Sequence, residues 1–384
     1  MAETELSLEP AEHPRYIESL DALETCCARW RDREALGVDT EFVRERTFYP
    51  QLGLIQISDG TTATLVDTLA IEDLAPLREV LFDPRIVKVL HSCSEDLEAL
   101  FHRFGAFPSA VFDTQIAAAF CGLGYSIGYG RLVESLFAVQ LPKDKTRTNW
   151  LRRPLSEDQK RYAAQDVLYL LPAFRNLQRT LEETGRTSWV EEELQALFDA
   201  DRFLPAPDHA YLRLGASKTL PPRKLEALRR LAEWRELKAR KRDLPRNFVL
   251  HDKTLVELAR KLPRERNALR RIESLGRSAF QRHGTKLIDL IRSALAVPPS
   301  ELPEAQPRAR DLSPYRSQVQ ELRQEVKTIA DRLGLPPELL ATRKSVEKLA
   351  RRFFDSRSPT LPPELRGWRQ AVVGSRLIER LQSS

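Results

Sequence analysis

Long hydrophobic runs are missing from this chain. Although 42% of its 384 residues are hydrophobic, no stretch approaches the ~20 consecutive apolar residues of a membrane-spanning helix. Cysteine is scarce: Cys26, Cys27, Cys93 and Cys121 are the only four, and their spacing suits neither a zinc finger nor a disulfide framework. Reduced thiols in a cytoplasmic protein are the expectation. The acidic opening, Met1 to Pro10, lacks the basic and apolar regions of a secretory leader. Where Gly122, Gly124, Gly128 and Gly130 crowd together, Ile127 stands at the position a dinucleotide-binding fingerprint reserves for glycine. That segment reads as a loop. No heptad seam is exposed either, which favours a monomer.

Charge is present in quantity and unevenly placed. The net +6 combines 22 basic against 34 acidic residues over 1–205 (−12) with 39 against 21 over 206–384 (+18). An acidic half joined to a strongly basic half implies a polyanionic partner for the latter. A membrane surface is the weakest candidate, because no strongly apolar helix face accompanies the positive charge. Within the tail, 206–297 carries 23 basic against 10 acidic residues and 298–384 carries 16 against 11. Charge alone does not distinguish RNA from DNA; the former segment is the expected main nucleic-acid contact, the latter a positioning or packing element. Lys143, Lys145, Arg147, Arg152 and Arg153 form a positive island in the acidic half, with phosphate tracking and solvated loop as equal readings.

Residues 35–175 alternate between strand and helix patterns. Strands are predicted at Ala35–Val38, at Leu52–Ser58 and Thr62–Val66 around an Asp59-Gly60 turn, and at Ile86–Leu90. Helices are predicted over Ile71–Phe82 and Glu95–Phe104, and up to Pro172 from about Tyr162. This order predicts a three-layer α/β domain with a mixed sheet. After Pro205-Ala-Pro207 the pattern is helical, with a second proline-rich break at 297–307. Lys253–Lys261 and Lys344–Arg352 match in character position by position, which suggests a small helical module present twice.

Asp39-Thr40-Glu41 closes the first apolar run, so on a strand its two acids share one face. Paired carboxylates repel unless a proton or cation lies between them, and hard divalent ions prefer such oxygen donors. For the tripeptide alone, acids that simply meet solvent at a strand end are the plainer reading. Asp96 falls in the first turn of a helix, capped by Ser92 with Glu95 or by Ser94, where the helix dipole alone accounts for an acid. Tyr162 and Asp166 lie one helical turn apart, close enough to hold a water or simply to hydrogen-bond each other. His91 suits a strand end without further purpose.

Taken together, Asp39-Thr-Glu41-Phe42, Ser94-Glu-Asp96 and Tyr162-x-x-x-Asp166 resemble the three motifs of the DEDD 3′→5′ exonucleases. The tyrosine four before the last acid, with Arg161 rather than histidine five before it, matches the tyrosine subclass. Within it the chain is similar to the bacterial ribonuclease D family, through 38–44, 49–56, 128–133 and 143–150, and the two helical modules resemble HRDC domains. The resemblance implies an α/β, ribonuclease H-like exonuclease domain over 1–205, followed by all-α HRDC domains over 206–297 and 298–384. It implies two divalent ions, Mg²⁺ or Mn²⁺, held by Asp39, Glu41, Asp96 and Asp166, with Tyr162 orienting the nucleophilic water. Phe42 is then a candidate for packing on the terminal base, and His91 for a substrate contact. The expected activity is removal of 5′-mononucleotides from RNA 3′ ends, tRNA precursors included. A DNA exonuclease and an inactive RNA-binding scaffold are the competing readings.

Overall fold

In the computed structural model, which describes residues 14–142, 148–304, 312–356 and 360–383, the apolar runs of the acidic half pair into one mixed sheet. Its strands are β1 (Arg15–Ile17), β2 (Ala35–Val43), β3 (Gln51–Ser58), β4 (Ala63–Asp67), β5 (Val87–Leu90) and β6 (Val111–Asp113), in the order β1-β4-β3-β2-β5-β6. The β2–β3–β4 meander is antiparallel, and β1, β5 and β6 join in parallel. Asp59 makes the predicted turn: its Oδ1 accepts the Thr61 and Thr62 N–H groups, and Gly60 takes φ +87.

The helices of this domain are α1 (Leu20–Trp30), α2 (Ala75–Phe82), α3 (Ser94–Phe104), α4 (Thr114–Phe120), α5 (Tyr129–Phe137), α6 (Glu157–Leu168), α7 (Leu170–Glu183) and α8 (Thr187–Gln195). Val167 and Leu170 of the α6–α7 corner pack with Leu54, Leu65 and Val89 on one sheet face. Four sequence expectations need correction. Strand β2 continues to Val43, so Asp39 and Glu41 lie inside it rather than at its end. Helix α2 begins at Ala75 instead of Ile71, because Pro76 suits only a first turn. Pro172 does not stop a helix; α6 ends before Tyr169, and the proline sits in the first turn of α7, where no N–H is needed. Gly128 caps α5 and Gly130 lies within it, so the glycine-crowded stretch is only partly loop.

The described residues fall into two compact units, one from Met1–Val43, Gln51–Phe198 and Arg310–Ser384, the other from Arg44–Pro50 and Asp199–Ala309. In the second, α9 (Pro222–Arg242), α10 (Asp252–Lys261) and α11 (Arg277–Ala296) enclose Leu228, Leu231, Leu255, Leu258, Leu287 and Ile291. Part of its positive charge is paired with buried acids. Buried Glu226 binds Arg229 and Arg230, and buried Glu236 binds Arg240 and Arg246. Asp243 accepts the N–H groups of Phe48 and Tyr49 at 2.9 and 3.0 Å, and Arg246 lies over the Phe48 ring.

The C-terminal helices α12 (Arg316–Leu333), α13 (Arg343–Ser356) and α14 (Ser375–Gln382) belong to the first unit. The repeat is physical: Thr254, Leu255, Leu258 and Ala259 are buried in α10, and Ser345, Val346, Leu349 and Ala350 are buried in α13. It diverges at the end, since Leu262 takes φ +49 and terminates α10, whereas α13 runs on past Phe353. Trp368 stacks on Trp189 of α8 (centroids 4.9 Å apart, planes at 14°). Its backbone N–H and indole N–H donate to Glu192 and Glu193, each at 2.9 Å. Arg186 donates to the carbonyls of both Phe120 and Leu333. The tail thus packs on the sheet domain's helices through aromatic area and ion pairs.

Candidate active site

Strand alternation sends Asp39 and Glu41 to the face covered by α6 and α7. Asp166 comes down onto them from α6, which a capping box between Ser156 and Gln159 initiates. Gly37 permits the approach. A Cβ there would stand 3.2 Å from both the Val167 carbonyl oxygen and the Leu170 Cβ, already tighter than ordinary packing. As a result, one carboxylate oxygen from each of Asp39, Glu41 and Asp166 lies within 4.8 Å of the others. The β2–β3 register shifts between Glu41 and Phe42, an irregularity that re-aims side chains in sheets.

Asp96 arrives separately, near the N-terminus of α3, and is buried. Its Oδ1 accepts a 2.5 Å hydrogen bond from Thr40, whose side chain leaves β2 on the opposite face from Asp39. The structure therefore gathers three of the four expected acids into one cluster and sets Asp96 beside them, held by Thr40. Neither Ser92 nor Ser94 caps α3. Cys93 is the N-cap without a side-chain bond, and Asp113 accepts the Ser92 and Cys93 N–H groups instead.

Burial and mutual repulsion dominate the electrostatics. Burial, then the charges of Asp96, Asp166 and Glu41, holds the Asp39 carboxyl well above its ordinary range. Burial with Asp166 and Asp96 pushes Glu41 up to about 8. Asp166 is raised to about 7, chiefly by burial, against the opposing hydrogen bond from Tyr162. Burial takes Asp96 to about 6, restrained by its bond from Thr40. An all-oxygen set whose members repel one another fits a hard divalent cation. Burial and the same acids also raise the Tyr162 phenol, so it stays protonated.

His91 has both ring nitrogens engaged, Nδ1 with Thr114 Oγ1 at 2.9 Å and Nε2 with the Ile127 carbonyl at 3.1 Å. Phe42 is partly exposed just beyond the register shift. Of the positive island, Lys143, Lys145 and Arg147 lie outside the described residues and Arg152 is exposed. Arg153 is instead ion-paired to Asp67 at 2.5 Å; phosphate tracking by Arg153 is corrected to an internal role. Sequence reasoning missed Thr40 and Trp150. The Trp150 indole acts on Glu41, opposing the rise of its pKa, and its ring lies 6.1 Å from that of Tyr162. Thr40 could have been noticed from its place between two acids; nothing local marks Trp150.

Comparison with known proteins gives concordant matches. A family model described as 3′-5′ exonuclease matches residues 14–182, the HRDC domain model matches 224–291, and the model for the ribonuclease D C-terminal HRDC domain matches 314–377. Ribonuclease D of Pseudomonas paraeruginosa is 40% identical over 96% of this chain and 98% of its own length. The Escherichia coli protein of that name is 38% identical over 96% and 98%. The crystal structure of Escherichia coli RNase D, described as an exoribonuclease involved in structured RNA processing, superimposes with a TM-score of 0.87 at 37% identity, covering 97% of this chain and 99% of that one. The catalytic core of RRP6 from Trypanosoma brucei gives a TM-score of 0.58 at 26% identity over 74% and 81%.

Proposed function

Because the chain belongs to the ribonuclease D family of 3′→5′ exoribonucleases, whose DEDD chemistry requires divalent metal, we propose that Asp39, Glu41, Asp96 and Asp166 hold two such ions, Mg²⁺ or Mn²⁺, at the terminal phosphodiester. The observation that carries this reading is the convergence of the Asp39, Glu41 and Asp166 oxygens within 4.8 Å. Bound ions of this kind lower the pKa of water and stabilise the attacking and leaving oxygens of an in-line displacement.

The protein's own groups supply orientation. Tyr162, one helical turn from Asp166, positions a water by hydrogen bonding through its phenol. Thr40 fixes the rotamer of Asp96. Phe42 offers a ring for the terminal base, an interaction worth about 1–3 kcal/mol per stacked base. The site's negative charge repels RNA, and the basic 206–297 segment offsets this with affinity largely independent of sequence. Structured RNAs with free 3′ ends, tRNA precursors among them, are the proposed substrates, and 5′-mononucleotides the products of a monomeric enzyme.

End-labelled RNA incubated with and without Mg²⁺ or Mn²⁺ tests the reading. Mononucleotides released from the 3′ end only in the presence of metal are expected. Asp39→Asn should abolish turnover while RNA still binds, and undiminished turnover by that variant overturns the site.

A further inference from the structure

Arg153 has its guanidinium engaged on all sides by the protein. Nε and Nη2 meet the two oxygens of Asp67 at 2.5 and 2.7 Å. Nη2 also donates to the Gly53 carbonyl at 2.7 Å, and Nη1 to the carbonyls of Trp150 at 2.8 Å and Arg152 at 3.0 Å. Asp67, with its side chain 2% exposed, is itself fixed at the end of β4 by the Tyr16 hydroxyl and the Leu69 and Ala70 N–H groups. On β3, a Cβ at Gly53 would lie 2.6 Å from the Trp150 carbonyl oxygen. The strand therefore leaves room for the backbone of Trp150 to lie directly against it. Asp67 on β4 and Gly53 on β3 thus tether, through Arg153, the short segment that bears Trp150, whose indole acts on Glu41.

We propose that Arg153, anchored on Asp67, is a positioning residue for the exonuclease reaction: it clamps the Trp150 backbone so that the indole N–H holds the Glu41 carboxylate in its working orientation. Glu41 needs such a hold. A glutamate has three rotatable side-chain bonds, and repulsion from Asp39 and Asp166 favours any rotamer that swings it away. An indole is a donor only, so it secures one oxygen of an ionised carboxylate and leaves the other free. Partners that orient a metal-holding carboxylate typically influence metal affinity or activity by about 10–100-fold. The inference rests on the reading of Glu41 as a metal-holding group.

A double-mutant cycle in the full-length chain separates positioning from mere structural support. Trp150→Phe keeps the ring and removes the donor; Arg153→Ala removes the clamp. Each single variant is expected to lower kcat about 10–100-fold, to raise the Mn²⁺ concentration for half-maximal activity, and to leave KM for RNA within about 2-fold. The double variant should be no slower than the slower single, since both changes cut one linkage. Arg153→Lys guards against misfolding: it keeps a cation for Asp67 but lacks the fork that reaches the carbonyls of Gly53, Trp150 and Arg152. Its thermal stability should be near that of the parent and its kcat reduced like that of Arg153→Ala. Losses that multiply in the double variant, or a parental kcat for Trp150→Phe or for Arg153→Lys, overturn the proposal. An active Glu41→Gln would sink the site reading itself, whereas an inactive Glu41→Gln with a fully active Trp150→Phe would sink only the clamp.

Discussion

Replacing Glu41 by glutamine should stabilise the metal-free protein, by an amount that grows with pH. Burial and the neighbouring acids push its folded pKa from 4.5 up to about 8. Between those values the folded chain retains a proton that the unfolded chain has released, so raising the pH weakens the fold by about 1.4 kcal/mol per pH unit. From pH 5 to pH 7 the full effect is about 3 kcal/mol; partial exposure of Glu41 and sharing of protons among four acids reduce it to on the order of 1–2 kcal/mol. Asp39, Asp96 and Asp166 are raised too and weaken the fold in the same sense over an overlapping window, whereas groups outside the cluster titrate elsewhere or in the opposite sense. Asp59, Asp67, Glu226, Glu236 and Glu257 are lowered and act below the ordinary carboxylate range. His91 and His283, lowered by burial, make the fold firmer as pH rises toward 6.5. Effects outside the cluster are common to parent and variant, so the difference in melting temperature reports Glu41 together with its coupling to the other three acids. In EDTA the Glu41→Gln melting temperature should match the parent at pH 5 and exceed it increasingly to pH 8. Saturating Mn²⁺ should close the gap by stabilising the parent, by about 2.7 kcal/mol at a hundredfold excess over Kd. A pH-independent gap, or a parent that is the more stable at pH 8 without metal, would refute the linkage.

Three further outcomes follow from specific side chains. Gly37→Val inserts methyl groups against the Val167 carbonyl and Leu170, which should lift Asp166 from Asp39, raise the metal concentration for half-activity and lower kcat, while Gly37→Ala does so only weakly. Trp368→Ala removes a buried ring stacked on Trp189 and should destabilise the unit by about 3–5 kcal/mol, measured by denaturant melts, with RNA affinity little changed. In the second unit, Lys253 and Arg260 line a groove with Lys261 whose acids, Asp252 and Glu257, are bound by Arg235 and Lys261. Reversing the charges of Lys253 and Arg260 should weaken RNA binding and flatten the slope of log K against log salt, by about 0.7 for each single-strand phosphate that the groove ceases to neutralise, leaving single-turnover kcat intact.

What was legible in the sequence is what local periodicity carries. Alternation puts Asp39 and Glu41 on one face, the i, i+4 spacing pairs Tyr162 with Asp166, and the α10 and α13 apolar stripes announce the repeat. The three-residue strands β1 and β6 are too short to leave such a signature. The length of β2 was hidden because its polar centre, Asp39-Thr40-Glu41, breaks the alternation that usually reveals a strand. The contacts that finish the site span the chain: Arg153 and Asp67 are 86 residues apart, and Trp368 meets Glu193 across 175. No window of ten or fifteen residues contains both partners.

These two classes of residue differ in physical kind. The acids violate the expectation that buried charges are paired, and a local conflict of that sort marks function more often than folding. Their motif spacing is consequently conspicuous in a bare sequence. Arg153, Asp67, Gly53 and Trp150 obey every local rule: a paired arginine, a paired acid, a strand glycine and a buried indole with a partner. They become meaningful only once the acids they surround are known to repel one another. Asp39, Glu41 and Asp166 stay converged because Gly37 admits the Asp166 helix corner, while Thr40 holds Asp96 beside them. The electrostatic cost of the site is thus met by neutral donors and close packing rather than by a buried lysine or arginine, which leaves the cluster's negative charge available to a cation.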